Sequence, residues 1–200
     1  MPFSYRWMVI FLKGGITMKQ YTNDLMIRKA MYNRLSNIQK YDPSTIIIPE
    51  VEICMGYSRA DIMMVNGILH GFEIKSDRDT LERLKYQIGY YEQVFEKITI
   101  VTGEKFCSEI DKIVPGYWGI MEASFYKNGN IKLSNLRAAK KNPYIDEYSL
   151  IQLLWKDELL LELQLKGLDK GIKSKPRNFL AQFLVENTNK KELLDIVKNR

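Results

Sequence analysis

A chain of 200 residues has room for one domain, or one domain with a small appendage. Its hydrophobic fraction of 46% and aromatic fraction of 12% exclude a disordered or low-complexity protein. The net charge of +6 leans modestly toward an anionic partner, and two cysteines with a single histidine argue against a disulfide framework or a zinc site, as suits a reducing cytoplasm.

In chain order, the apolar run 7–12 is about a third of the length a membrane span needs, and it lacks a small-residue cleavage site. Neither a membrane helix nor a signal peptide is expected, and Met18 offers an alternative start. Gly14-Gly15 reads as a turn. Residues 22–38 read as a helix capped by Thr22 or Asn23, with Ile27, Met31, Leu35 and Ile38 at helical spacing. Asp24 shares that inward face, where a carboxylate needs a reason beyond the helix dipole. A turn at 41–44 leads to a β-branched strand, 45–54, with Glu50 and Glu52 on one side. Strands 59–65 and 68–75 meet at Asn66-Gly67, a hairpin signal. Ser76 or Asp77, with Asp79 spaced for a capping box, opens a helix expected to reach residue 97; its stripe is Leu81, Leu84, Ile88, Tyr91 and Phe95. Strand 98–102, a helical stretch 104–113 and strand 117–121 predict a parallel crossover. A hairpin turning at Asn128-Gly129 follows, then helices over 150–165, 176–186 and 190–199. The expected fold is an α/β core with a mixed sheet flanked by helices, followed by a helical C-terminal tail. The division is an extension over 1–21, a core over 22–142 and a helical region over 143–200.

Glu73 and Lys75 lie two apart on a strand and share a face, while Phe72 and Ile74 point the other way. Such a pair is ordinarily a solvated face. Here the strand runs straight into a helix start and Asp61 sits on the neighbouring strand. Two carboxylates hold Mg²⁺ or Mn²⁺ through hard oxygens, the metal acidifies a bound water, and a lysine orients that water or offsets charge on a phosphate. The geometry makes a demand. A strict two-residue turn would pair Val65 with Ile68 and aim Asp61 away from Glu73. Convergence requires a three-residue loop with Gly67 at positive φ, or a bulge near Asp61. Gln87 and Tyr91, four apart on the following helix, share a side; Tyr91 belongs to the apolar stripe, and Gln87 borders it with no packing reason to be there.

Asp61, Glu73-Ile74-Lys75 and Gln87-x-x-x-Tyr91 together resemble the signature of the PD-(D/E)XK nuclease superfamily, the last element being similar to its RecB-like branch. The run from Glu73 to Asp77, with Arg83-Leu84, Arg59, residues 115–120 and Leu153-Leu154-Trp155-Lys156, more specifically resembles a little-characterised family of bacterial and prophage proteins in that superfamily. The likeness extends from about residue 22 to the C-terminus. It implies a restriction-endonuclease-like core of four mixed strands, with metal held by Asp61, Glu73 and the Ile74 carbonyl, and with Lys75 as the catalytic lysine. Asp24 stands where the superfamily often has a first-helix Glu, one methylene shorter, and Glu50 matches an acidic position on the first strand.

His70 has no ligand-spaced neighbours and reads as a strand residue; Gly167 reads as a turn residue. The basic stretch with Lys170, Lys173, Lys175 and Arg177 either grips a phosphate backbone with Gln87 and Tyr91 or is a solvated loop. The expectation drawn from all this is a cytoplasmic Mg²⁺- or Mn²⁺-dependent deoxyribonuclease with DNA as partner. The rival reading is a catalytically silent nuclease-fold module that binds nucleic acid or a protein partner. The Leu-rich segment 159–165 leaves a homodimer open.

Overall fold

Asn23 stands in extended conformation and accepts the Met26 N–H at 3.0 Å, so it, rather than Thr22, caps the first long helix. The computed structural model describes residues 20–200, preceded by the backbone of β1 (Phe11–Leu12) and β2 (Gly15–Ile16), which pair antiparallel. Met18, Gly14 and most of the apolar run 7–12 lie outside the described residues. Helix α1 (Asp24–Tyr41) buries Ile27, Met31 and Leu35. Ile38 is already at the exposed end of the stripe, although the helix continues three residues past it.

Strands β3 (Ile46–Ile53), β4 (Ser58–Val65) and β5 (Leu69–Lys75) form an antiparallel meander. The expected helix over 76–97 is shorter: α2 spans Leu84–Glu92. Ser76 gives both its N–H and its hydroxyl to Asp79, each at 2.7 Å, so that pair closes a turn instead of capping a helix. Asp77 is held elsewhere, accepting the Thr22 N–H and hydroxyl and the Lys105 N–H. A Cβ on Gly103 would come within 2.2 Å of Asp77 Oδ1, so glycine is required there by close approach.

Strand β6 (Lys97–Gly103), helix α3 (Cys107–Ile113) and strand β7 (Gly119–Phe125) make the parallel crossover, β5, β6 and β7 all running one way. Strand β8 (Ile131–Arg137) returns antiparallel through a turn with Gly129 at φ 82°. The result is a six-stranded mixed sheet in sequential order β3 to β8, where four strands are implied by the resemblance. Helix α1 covers one face through Ile62, Phe72, Ile74 and Val101.

The other face packs α2, α3 and the C-terminal helices α4 (Glu147–Ile151), α5 (Lys156–Leu165), α6 (Arg177–Glu186) and α7 (Lys190–Lys198) into one continuous cluster. Asn142 ties the tail to the end of α2 and the turn after it by donating to the Glu92 and Phe95 carbonyls. The helix expected over 150–165 is broken at 152–155, where Leu153 and Leu154 make i−3 bonds and Glu158 accepts the Trp155 N–H to restart the helix. Leu159 and Leu163 of the Leu-rich segment point into the core, and Leu161 and Leu165 remain exposed. Among the described residues no helix is long and apolar enough to cross a membrane.

Candidate functional site

The hairpin between β4 and β5 pairs Val65 with Leu69, leaving a three-residue loop with Gly67 at φ 65°. This is the geometry that convergence requires. The register, carried one step beyond Ile62–Phe72, sets Asp61 across from Glu73. There the two strands separate, and Asp61 Oδ2 enters the fork to accept the Ile74 N–H at 2.7 Å.

Glu73 and Lys75 are 2% and 5% exposed, so the solvated-face reading fails. Lys75 Nζ lies 2.6 Å from Glu73 Oε1. Gln87 Nε2 donates to the same oxygen at 2.7 Å, and the Tyr91 hydroxyl donates to Oε2. One turn of α2 thus supplies both of Glu73's neutral partners. Burial pushes the Glu73 carboxyl above its ordinary value, as does the charge of Asp61, against the opposing pull of Lys75 and Tyr91. Burial likewise raises Asp61 against the Ile74 N–H and Arg28. The Tyr91 phenol, buried beside both carboxylates, is held well above its usual value and remains a donor.

Arg28, on α1, is the residue that sequence reasoning missed. Its guanidinium meets Asp24 at 3.1 Å, Glu50 at 2.7 Å and Asp61 at 2.9 Å. Burial disfavours its charge, but Asp24 and Asp61 more than offset that and keep it protonated. Arg59 reaches the second oxygen of Glu50 at 2.8 Å. Glu50 is at φ 52°, a left-handed conformation rare for a side-chain-bearing residue, in the one position of β3 that lacks a ladder partner between Pro49 and Val51. The signal for Arg28 was its i, i+4 spacing from Asp24.

The donor set can be tested against the Mg²⁺ or Mn²⁺ that the resemblance implies. A divalent ion needs carboxylate oxygens turned together on one point and not already facing a protein cation. Both oxygens of Asp61 and both of Glu73 are occupied by a guanidinium, a backbone N–H, an ammonium, an amide and a phenol. Among the described residues no group of three or more His, Cys, Asp or Glu is arranged to hold a metal ion. Asp24 and Glu50 face Arg28. This arrangement does not fit the ion.

Other expected residues are redistributed. Tyr91 is fully buried and beyond the reach of a nucleic acid. Gln87 donates to Glu73, and its Oε1 is buried without a partner. Arg177 turns inward, donating to the Leu154 carbonyl at 3.0 and 2.9 Å and to Gln152, and so clamps α6 to the break before α5. Lys173 pairs with Asp169, and Lys175 lies 5.4 Å from the Phe179 ring; both are exposed, as is Lys170. His70 is a strand residue, bonded to Thr99 and stacked on Phe72.

Asp61, Glu73 and Lys75 open onto a cleft of about 710 Å³ whose wall includes Arg59, Arg83 and Tyr86. Tyr57 and Tyr90 also line it, with rings stacked at 6.2 Å and 7°. Arg83, Tyr86 and Tyr90 recur at i, i+3 and i+7. That spacing marks one outer face of α2, a signal readable in the sequence but overshadowed by the apolar stripe.

Over 113 residues the chain is 34% identical to Protein cII of Enterobacteria phage P4, a stretch covering 56% of this chain and 42% of that relative. The chain thus matches less than half of the relative's length. Among solved structures it is similar to the SPO1766 protein of unknown function from Silicibacter pomeroyi, at 17% identity and a TM-score of 0.42, over 69% of this chain and 90% of that one. The family model described as Bacteriophage P4 protein cII matches residues 18–200. These findings overturn the expectation of a Mg²⁺- or Mn²⁺-dependent deoxyribonuclease, since family and relative alike are protein cII, not a known nuclease. Matched from residue 18 to its last residue, the chain belongs to the bacteriophage P4 protein cII family.

Proposed function

We propose that this chain is a binding module on a PD-(D/E)XK-like scaffold, holding nucleic acid without cutting it. The observation that carries the reading is Arg28. A protein cation sits among Asp24, Glu50 and Asp61, where a cutting enzyme needs a metal, and Lys75 neutralises Glu73 in the same way. With Arg59 on Glu50, three cations meet these four carboxylates, which lowers without cancelling their repulsion of phosphate. The overall charge of +6 and the exposed Lys170, Lys173 and Lys175 favour a polyanion. The scaffold reading rests on Asp61, Glu73-Ile74-Lys75 and Gln87 as a motif and on the mixed sheet that presents them.

The test is fluorescence anisotropy with labelled DNA and RNA oligonucleotides, single- and double-stranded, across a salt series, in Mg²⁺ and in EDTA. The expected result is binding that weakens steeply with salt, is indifferent to EDTA and leaves the oligonucleotide intact on a denaturing gel. Absence of binding to every oligonucleotide at low salt would overturn the reading and point to a protein partner instead. So would oligonucleotide shortening that requires the metal.

A further inference from the structure

Between β3 and β4, Cys54, Met55 and Gly56 take successive left-handed conformations, with φ of 51°, 58° and 83°. Three such residues in a row cost backbone strain at the two that carry side chains. They deliver Tyr57 to the cleft, 71% exposed, against Tyr90 of α2. One turn before Tyr90 stands Tyr86, 76% exposed, and three residues earlier Arg83, whose carbonyl accepts from Tyr86 and Gln87 while its guanidinium makes no ion pair or hydrogen bond among the described residues. Arg59, with a side chain 64% exposed, completes the rim. Scattered exposed tyrosines need no account. Here three line one cleft, two of them already stacked, and guanidinium groups stand beside them.

Such a surface matches flat π-faces carried on a phosphate backbone. Aromatic rings stack on bases, arginines meet phosphates, and neither contact reads sequence. A duplex hides its base faces inside the helix, so the rings favour unpaired nucleotides. The charge distribution also sets an orientation. The Glu52 carboxylate lines the cleft without a side-chain hydrogen bond or ion pair among the described residues, whereas Arg83 is the cleft-lining cation that no carboxylate meets, Arg59 and Lys75 both being paired. A backbone would run along the Arg83 side and away from Glu52.

We infer that Tyr57, Tyr86 and Tyr90, with Arg59 and Arg83, form a binding site for unpaired nucleotides of a single-stranded nucleic acid. This rests on the nucleic-acid reading above and names its ligand class. The probe is labelled oligodeoxythymidine of about twelve nucleotides, within the length range of known single-strand sites, compared with oligouridine of equal length and with a duplex. Wild type binds the single strands more tightly than the duplex. Tyr86→Ala and Tyr57→Ala each weaken single-strand binding roughly 5- to 150-fold, the range that loss of one stacked base produces. Tyr86→Phe retains it, Arg83→Ala flattens the salt dependence, and Glu52→Gln tightens binding. Thermal unfolding of each variant matches wild type, because the side chains are exposed. Wild-type binding to single strands that Tyr86→Ala and Tyr57→Ala leave unchanged would overturn this site alone. Equal losses for duplex and single strand would overturn the preference for unpaired bases. Absence of any wild-type binding would overturn the nucleic-acid reading itself.

Discussion

Strand β5 buries both of its faces almost equally, yet in opposite chemistries. Phe72 and Ile74, each 3% exposed, pack with Ile27, Met31 and Leu35 of α1, a face any apolar residues of similar volume would satisfy. Glu73 and Lys75 are as deeply placed, but they are tolerable only because each finds a charged partner and Glu73 has two neutral donors besides. Burial by itself therefore says little about what a residue is for. A buried charge that must be matched atom by atom is an expensive arrangement, and hydrophobic residues would often serve stability as well or better. Its place on the wall of a cleft marks this face as the one to test for function.

The largest effects should come from breaking each face singly. Glu73→Ala leaves Lys75 buried and unpaired, and should destabilise by about 3–5 kcal/mol in urea unfolding. Phe72→Ala should cost a similar amount, about 3–5 kcal/mol, by leaving a cavity. The two differ in rescue. Adding Lys75→Met to Glu73→Gln should regain most of the loss, whereas no change at Ile74 repairs Phe72→Ala. If the double charge variant is no more stable than Glu73→Ala, the pair is not the unit described here.

The faces also titrate in opposite senses. On the apolar face, burial and then the charge of Lys97 hold His70 down at about 4. The unfolded chain, with His70 near 6.5, binds more protons than the folded one between those values, so stability rises with pH across that window by up to about 3 kcal/mol. His70→Gln should remove that slope. On the charged face, Asp61 and Glu73 are raised, so the folded chain binds more protons there and stability falls as pH rises through their folded values. Glu73→Gln should flatten that fall. Stability measured against pH in wild type and both variants separates the contributions; identical curves would show that neither group titrates as described.

A smaller loss, roughly 2–3 kcal/mol, is expected for Arg28→Ala, since Asp24 and Glu50 are partly exposed and solvent replaces some of what is removed. Arg28→Lys should recover only part, because one ammonium does not reproduce three directed contacts. Least affected should be Tyr86→Ala, within about 0.5 kcal/mol of wild type.

Much of this was legible because it is local or periodic. Alternation along 72–75 separates the two faces of β5, and convergence of Asp61 with Glu73 demands either a three-residue loop with Gly67 at positive φ or a bulge near Asp61, of which the protein has the loop. What the sequence hid was long-range. Asp77 looks like a helix cap until Thr22, 55 residues away, is seen to hold it. Arg28 meets Asp61 across 33 residues, a pairing no spacing rule reports. Arg177 lies in a basic run and reads as a phosphate contact, yet its acceptors are mostly backbone carbonyls, which leave no mark in composition. The motif resembles a nuclease's in residue types alone; the sequence does not reveal that its carboxylate oxygens face protein donors and cations.

The left-handed backbone of Glu50, whose carboxylate meets Arg28 and Arg59, has a consequence at the sheet's margin. β3 is an outer strand, and its neighbours Ile46 and Ile48 are 46% and 36% exposed, a hazard for pairing with another molecule's strand. Pro49 offers no N–H, and the reversed backbone at Glu50 interrupts the row of donors and acceptors immediately after it. The kink beside the charged cluster thereby shortens the stretch of open margin on which another strand could pair.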